Sequence, residues 1–143
     1  GQLGNGTRSN TSSPIQIGLL TNWKQVSAGY HHTTAIMTDG TLWAWGQNTF
    51  GQLGTGTTAY FSSPIQIGSL TNWKQVACGY GHTAFIKTNG TLWACGYNLY
   101  GQLGNGGTGN LSSPIQVGSL TNWKQVSASW YNTAAISSPD LPA

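Results

Sequence analysis

The chain has 143 residues, the length of one domain, and only 5 % of them are charged, whereas Gly occupies 21 positions, Trp seven and Tyr six. Disordered chains are rich in charge and poor in aromatic residues, so this composition excludes disorder. Five basic residues against two acidic ones give a formal net charge of +3. Five basic residues are too few to predict the clustered basic face of a nucleic-acid binder. The sequence contains no run of about 18 apolar residues, so no membrane-spanning helix is predicted.

The sequence repeats with a period of 50 residues. "GQLG" begins at Gly1, Gly51 and Gly101, and each copy also contains "SSPIQ" and "TNWKQV". The copies span 1–50, 51–100 and 101–143, and the last one is truncated. Since near-identical repeats fold alike, one description of the repeat serves for all three.

Within each repeat, apolar and polar residues alternate with a period of two, which predicts strands. Residues 34–38 are predicted to pair with 41–45, and 84–88 with 91–95. Asp39-Gly40 and Asn89-Gly90 lie between these runs and predict type I′ hairpin turns. "WKQV" is predicted as a third strand.

A fourth, short strand is predicted where each repeat contains "PIQIG" or "PIQVG". These segments are 14–18, 64–68 and 114–118, and their opening proline is tolerated only at a strand start or a sheet edge. Four short strands per repeat predict an all-β fold, a β-propeller of four-stranded blades. In the third copy, "SSPDLPA" replaces the second half of the hairpin.

Three blades do not close a ring, because propellers contain about four to eight. The first "PIQIG" strand has no preceding strand to pair with, and the last blade lacks its outer half. We therefore expect a partial propeller, completed by further blades from the same longer chain or from a second copy.

Two stretches resemble a known repeat family. "GYHHTTAIMTDGTLWAWGQNTFGQLG" (29–54) and "GYGHTAFIKTNGTLWACGYNLYGQLG" (79–104) are similar to the repeat of the regulator of chromosome condensation, the RCC1 repeat. The resemblance implies a β-propeller whose blades each combine strands of two sequence repeats.

The glycine and histidine of the Gly-x-x-His-Thr motif are expected to be structural. Gly29 and Gly79 are expected where inner strands crowd the axis. His32 and His82 are expected to bond backbone carbonyls, and Asn132 in the third copy can donate the same bond.

Catalysis is not expected. Asp39 belongs to a turn and Asp140 to the tail, so no carboxylate accompanies the histidines in an acid–base pair or triad. Cys78 and Cys95 without clustered histidines do not predict a zinc site. These cysteines are either small buried residues or a disulfide. We expect no metal and no cofactor.

The turn before the histidine varies between copies while its surroundings stay constant. It places aromatic side chains near the rim of the channel, where Tyr and Trp serve as binding anchors. Packing between blades is an equally weighted explanation. The candidate partner-binding residues are Tyr30, His31, Tyr80, Trp130 and Tyr131.

The function predicted from these features is a non-catalytic scaffold that binds a protein, or a glycan, through the aromatic turns. The alternative is an assembly subunit that completes a ring or surface array through its end blades. Guanine-nucleotide exchange is less favoured, because the wedge insertion and acidic loops of exchanging family members have no counterpart here. Light-sensing members of the family carry Trp-Arg in this turn, where this chain has Tyr30 and Tyr80 without a following arginine, so light sensing is not expected. A secreted or surface location is weakly favoured by the low charge.

Overall fold

A computed structural model describes residues 1–139, which contain ten antiparallel strands joined by turns and loops. No helix in this part of the chain is long and apolar enough to cross a membrane. The strands are β1 (Trp23–Ala28), β2 (His32–Met37), β3 (Leu42–Gly46), β4 (Phe61–Gln66), β5 (Trp73–Cys78), β6 (His82–Lys87), β7 (Leu92–Gly96), β8 (Leu111–Gln116), β9 (Trp123–Ser129) and β10 (Asn132–Ser137).

Each of the first two sheets is a four-stranded blade, in the orders β1-β2-β3-β4 and β5-β6-β7-β8. The outer strand of a blade comes from the following repeat: β4 pairs with β3 through Trp43 opposite Gln66 and Ala44 opposite Ile65. Blades built from two sequence repeats are thus confirmed. In the described residues the third sheet contains only β9 and β10, as the divergent third copy predicts.

The predicted hairpins form, but their turns are not of type I′. Ile36 lies opposite Leu42 in the β2–β3 register. A type I′ turn needs positive φ at both central residues, and among residues 1–139 only glycines have positive φ, including Gly40 at 81°. Gly40 N donates to Met37 O at 3.0 Å and Met37 N donates to Thr41 O at 3.1 Å, the pattern of a three-residue loop ending in a glycine bulge.

The side chain of Asp39 explains this choice of turn. Its carboxylate accepts hydrogen bonds from the Thr41 backbone N–H at 3.0 Å and from the Thr41 hydroxyl at 2.7 Å. Asn89 and Thr91 make the same pair of bonds. An Asx side chain that caps its own turn keeps the negative φ of an ordinary residue, so the glycine alone takes the left-handed conformation.

The predicted "PIQIG" strands require correction. Residues 14–18 form no strand, because the described chain has no preceding "LWAWG"-type strand to supply their hydrogen bonds. The other two strands begin three residues before the proline, as β4 and β8. Pro64 and Pro114 therefore lie inside their strands, which is tolerated because β4 and β8 are the edges of their sheets.

The blades pack face to face, with β1, β5 and β9 standing next to one another. One core cluster joins the first two blades and includes Ile36, Leu42, Trp73 and Val76; a second joins the next pair in the same way. Val76 is 3 % exposed there, whereas its counterpart Val26, on the outer face of the first blade, is 65 % exposed. Valine thus occupies this position whether or not the described chain covers it.

Candidate binding site at the aromatic rim

The variable turns connect β1 to β2, β5 to β6 and β9 to β10, at one end of the three adjacent inner strands. Their backbones are joined: Tyr30 N donates to Gly79 O at 3.3 Å, and Tyr80 N donates to Trp130 O at 3.0 Å. A Cβ at Gly29 would lie 2.5 Å from the Gly79 carbonyl oxygen and would also overlap the imidazole of its own turn. Only glycine allows successive turns to approach this closely.

Three aromatic rings from three successive blades converge above these turns. The ring centroids of Tyr30 and Tyr80 are 4.9 Å apart, those of Tyr80 and Trp130 are 5.4 Å apart with the planes at 8°, and those of Tyr30 and Trp130 are 5.6 Å apart. Tyr30 is nevertheless 53 % exposed and Trp130 57 % exposed. The structure thus brings these three predicted residues together, with Tyr30 and Trp130 largely open to solvent and Tyr80 half-buried. The ring of His31 lies 4.2 Å from that of Tyr30.

Further rings extend this cluster outward. The ring of Tyr131 lies 5.4 Å from Tyr80 and 4.9 Å from Tyr100, and Tyr97 lies 6.0 Å from Tyr131 and 4.6 Å from Phe50. Gly81, the counterpart of Tyr131, leaves room for the Phe50 ring, which a Cβ at that position would approach to 2.7 Å. We call the following side chains the aromatic rim: Tyr30, His31, Phe50, Tyr80, Tyr97, Tyr100, Trp130 and Tyr131.

Sequence reasoning missed Phe50, Tyr97 and Tyr100, which belong to the loops after β3 and β7. The signal that identifies the variable turns would have identified them too. Gln47 in the first repeat stands where the second has Tyr97, and these positions differ while "GQLG" beside them is constant. The aromatic loop residues that differ between repeats next to "GQLG" therefore belong to the rim.

The rim offers apolar surface and hydroxyl groups and very little charge. Burial among neighbouring rings raises the pKa of Tyr97, so its phenol stays neutral. Below the three central rings lies a cavity of about 190 Å³ lined in part by Gly29, Gly79 and Cys78. Such a surface can bind by stacking and hydrophobic contact.

The histidines of the repeat lie beneath the rim and connect neighbouring blades. His32 Nε2 lies 2.9 Å from the hydroxyl of Thr83 in the next blade, and that hydroxyl donates to the carbonyl of Gln52 at 2.7 Å. Since the hydroxyl proton is used, the histidine is the donor in the first bond and carries its proton on Nε2. The backbone carbonyl that the sequence predicts as partner is thus reached through a threonine. His82 and Thr133 make the same contact at 2.9 Å.

Burial keeps these imidazoles neutral. His32 is fully buried, and this desolvation, with a smaller contribution from His82, lowers its pKa to about 3. Burial also lowers the pKa of His82. Asn132 in the third blade is exposed, because residues 1–139 contain no further blade beyond it.

Neither cysteine is part of a disulfide. Cys78 and Cys95 are free and buried, and Cys78 Sγ lies 3.0 Å from the Thr34 hydroxyl in the preceding blade. Burial raises the pKa of both thiols. Within residues 1–139, no three His, Cys, Asp or Glu side chains are grouped so that they could hold a metal ion.

Comparison with known proteins agrees with this architecture. The family model for the regulator of chromosome condensation (RCC1) repeat matches residues 1–36, 39–86 and 89–136. A second model of the same description matches 23–52 and 73–102. The ultraviolet-B receptor UVR8 of Arabidopsis thaliana is 42 % identical over 53 residues, which are 36 % of this chain and 12 % of the receptor.

The solved structure of human WBSCR16 has the same fold, with a TM-score of 0.69 and 28 % identity over 80 % of this chain and 31 % of that one. The structure of Prp20p from Saccharomyces cerevisiae, described together with its binding to Gsp1p and histones, has a TM-score of 0.72 and 17 % identity over 87 % of this chain and 34 % of that one. Yeast RCC1 (Prp20) bound to Kap60 is similar too (TM-score 0.70, 23 % identity, 82 % and 30 %). The chain spans about a third of each of these structures. With RCC1 repeats matched along nearly its whole length and blades of the corresponding architecture, the chain belongs to the RCC1-repeat family of β-propellers.

Proposed function

We propose that the chain is a non-catalytic scaffold that binds another protein through the aromatic rim. The observation that carries the proposal is the convergence of Tyr30, Tyr80 and Trp130, one from each blade, with ring centroids 4.9 to 5.6 Å apart and with Tyr30 and Trp130 more than half exposed. Aromatic clusters of this kind dominate the binding energy of protein interfaces. Structural relatives described with Gsp1p, histones and Kap60 bind proteins, which supports a protein rather than a glycan as partner.

Rigidity supports the same proposal. The rim side chains project from short turns whose backbones are hydrogen-bonded to one another, so little conformational entropy remains to be lost on binding. The blades beneath are held together by the buried histidine–threonine contacts and the apolar clusters. A surface that is already ordered and apolar is suited to anchoring a partner.

The test compares a rim variant with a matched control. The partner is first identified by mass spectrometry after capture from extracts of the source, then purified and titrated calorimetrically. Tyr30→Ala, Tyr80→Ala and Trp130→Ala combined should weaken binding at least about 30-fold, the equivalent of about 2 kcal/mol. Leu19→Ser introduces the residue of the other two repeats in place of an exposed side chain (90 %) before β1, at the end of that strand away from the rim, and should change binding less than about twofold.

Three results would contradict the proposal. Unchanged affinity in the triple variant would place the interface elsewhere. Loss of cooperative thermal unfolding in the triple variant, with Leu19→Ser still unfolding cooperatively, would show that the rings are packing residues between blades. A purified glycan that binds the wild type, when no protein does, would favour the glycan alternative.

A second candidate function, assembly through the end blades, is supported by a separate observation. Val26 is 65 % exposed on the first blade, and Ile136 is exposed on the third, although Val76, Val126, Ile36 and Ile86 at the corresponding positions are all buried between blades. The outer faces of the first and third blades therefore carry the two complementary halves of an inter-blade contact. We propose that a further blade of the same repeat, such as one from a second copy, covers them.

Light scattering of the purified chain tests this assembly. A defined oligomer that dissociates in Val26→Asp is expected, because a charge cannot be buried in the apolar contact without a partner. Lys24→Glu, an exposed substitution on the same strand, should leave the mass unchanged. A wild-type monomer at every concentration would refute assembly and leave the rim proposal untouched.

A further inference from the structure

A second cavity lies between the first and second blades, and none of its lining residues belongs to the aromatic rim. Its volume is about 500 Å³, within the range of small-molecule sites. The lining is mostly apolar and includes Phe61, Ile65 and Ile67 of the first blade and Trp73 and Trp93 of the second. The cavity is large enough for an aromatic ring with a short polar group.

One lining residue, Lys87, is unusual in this setting. Its side chain is only 6 % exposed. The ammonium nitrogen lies 3.6 Å from the centre of the Trp93 ring and 4.7 Å from that of Trp73. Within residues 1–139, it has neither a hydrogen-bond acceptor nor a carboxylate partner; the single acid there, Asp39, bonds to Thr41.

The tryptophan faces satisfy this charge incompletely. A cation over an aromatic face is stabilised by the ring quadrupole, but the three N–H groups of an ammonium still require acceptors, and burial without them costs free energy. Burial accordingly lowers the pKa of Lys87. A second lining residue, Trp73, has an indole N–H that is buried without a partner.

The other repeats show that the fold does not need this lysine. Met37 occupies the position in the first repeat, where it is buried, and Ser137 occupies it in the third. Trp123 Nε1, the counterpart of Trp73 Nε1, is also unpartnered, so the unpaired indole is a property of the repeat. The lysine is a feature of the second repeat alone and introduces a positive charge into an apolar pocket.

We propose that this cavity binds a small organic monoanion, a carboxylate on an aromatic or aliphatic body. The carboxylate would accept hydrogen bonds from the Lys87 ammonium, and the apolar body would fill the space lined by Phe61, Ile65 and Ile67. One uncompensated positive charge matches one negative charge, and the unmet groups are donors, which an acceptor-only carboxylate complements.

The probe that tests this is 2-naphthoate, with the neutral 2-naphthamide of nearly the same shape as its control. Calorimetry on the full chain should give at least tenfold tighter binding of the carboxylate. Lys87→Met, a residue that the first repeat already accommodates at this position, should abolish that preference and leave the amide affinity unchanged. Lys74→Met removes an exposed positive charge and should keep the preference, which separates a local contact from the effect of net charge.

Three results would overturn the proposal: no binding of 2-naphthoate, equal binding of the carboxylate and the amide, or a preference that survives in Lys87→Met. Nuclear magnetic resonance of the wild type provides evidence that does not depend on the variant folding. The indole N–H signals of Trp73 and Trp93 should shift on addition of 2-naphthoate. Shifts confined to Trp130 would instead place the probe on the rim and refute a site at Lys87.

Discussion

Acidification should destabilise the chain through His32. Its pKa is about 3 in the folded protein, below its ordinary value of 6.5, so between these two pH values the unfolded chain binds more protons than the folded one. The free energy of unfolding therefore falls as the pH falls. The stabilising contribution is complete above about pH 6.5 and is lost progressively toward pH 3.

The magnitude follows from the two pKa values. Between pH 7 and pH 4.5, proton binding by the unfolded state alone lowers the free energy of unfolding by about 2.5 kcal/mol through His32. His82, whose pKa is also lowered by burial, acts in the same direction. The structural reason is His32 Nδ1, which is buried without a hydrogen-bond partner, because protonation would place a second, unpaired donor there.

Urea unfolding followed by tryptophan fluorescence at the two pH values measures this loss. His32→Asn, the residue at the equivalent position of the third repeat, should be less stable at pH 7 but should lose about 2.5 kcal/mol less on acidification than the wild type. No measurement is made below pH 4.5, because Asp39 would then contribute as well. Hydrogen bonds from Thr41 lower the pKa of Asp39, so its stabilising contribution is lost only at lower pH. Equal losses in wild type and variant would refute the buried, neutral imidazole.

Three further predictions concern the contacts between blades. Gly29→Ala should lower the free energy of unfolding, measured by chemical denaturation, by at least about 2 kcal/mol, because the new Cβ meets the carbonyl of the neighbouring turn at 2.5 Å. Gly109→Ala, with open space around it, should lower it by less than about 1 kcal/mol. Thr83→Val should cost about 1 to 3 kcal/mol, since it leaves a buried imidazole N–H unpaired and removes the hydroxyl that donates to the Gln52 carbonyl, and Thr83→Ser should recover most of that loss. Cys78 and Cys95, buried with raised pKa, should react with a thiol reagent only as fast as the chain unfolds, so equal labelling rates in native and urea-unfolded protein would contradict their burial.

Sequence reasoning predicted the fold to the extent that its signals are local. The hairpins follow from alternating residues around a Gly turn, and β2 and β3 pair as those residues require. The unpaired segment 14–18 shows the limit of this reasoning: the same "SSPIQ" letters form β4 and β8 where a neighbouring strand exists and no strand where the described chain offers none. A strand needs a neighbouring strand to pair its backbone hydrogen bonds, so its own residues do not determine whether it forms.

The candidate site was harder to predict for a related reason. His32 was recognised as structural, but its partner Thr83 is 51 residues away in the next blade, and only the stacking of blades brings the two together. Tyr100 meets Tyr131 in the same way, across neighbouring blades. Contacts of this kind recur from one pair of blades to the next, as His82 and Thr133 repeat the contact of His32 and Thr83, so they become predictable once one inter-blade register is known.

The distribution of variation within the chain separates scaffold from function. A residue that every blade uses to contact its neighbour is constrained alike in all copies, as "TNWKQV" is. A residue that contacts something else is free of that constraint and differs between copies. At the rim, Tyr30 and Tyr80 are replaced by Trp130 in the third copy, and the end of the second strand of each blade carries Met37, Lys87 or Ser137. Tyr30, Tyr80 and Trp130 form aromatic surface and Lys87 lines a cavity, so substitution of these four residues should alter binding while the stability common to the repeats remains.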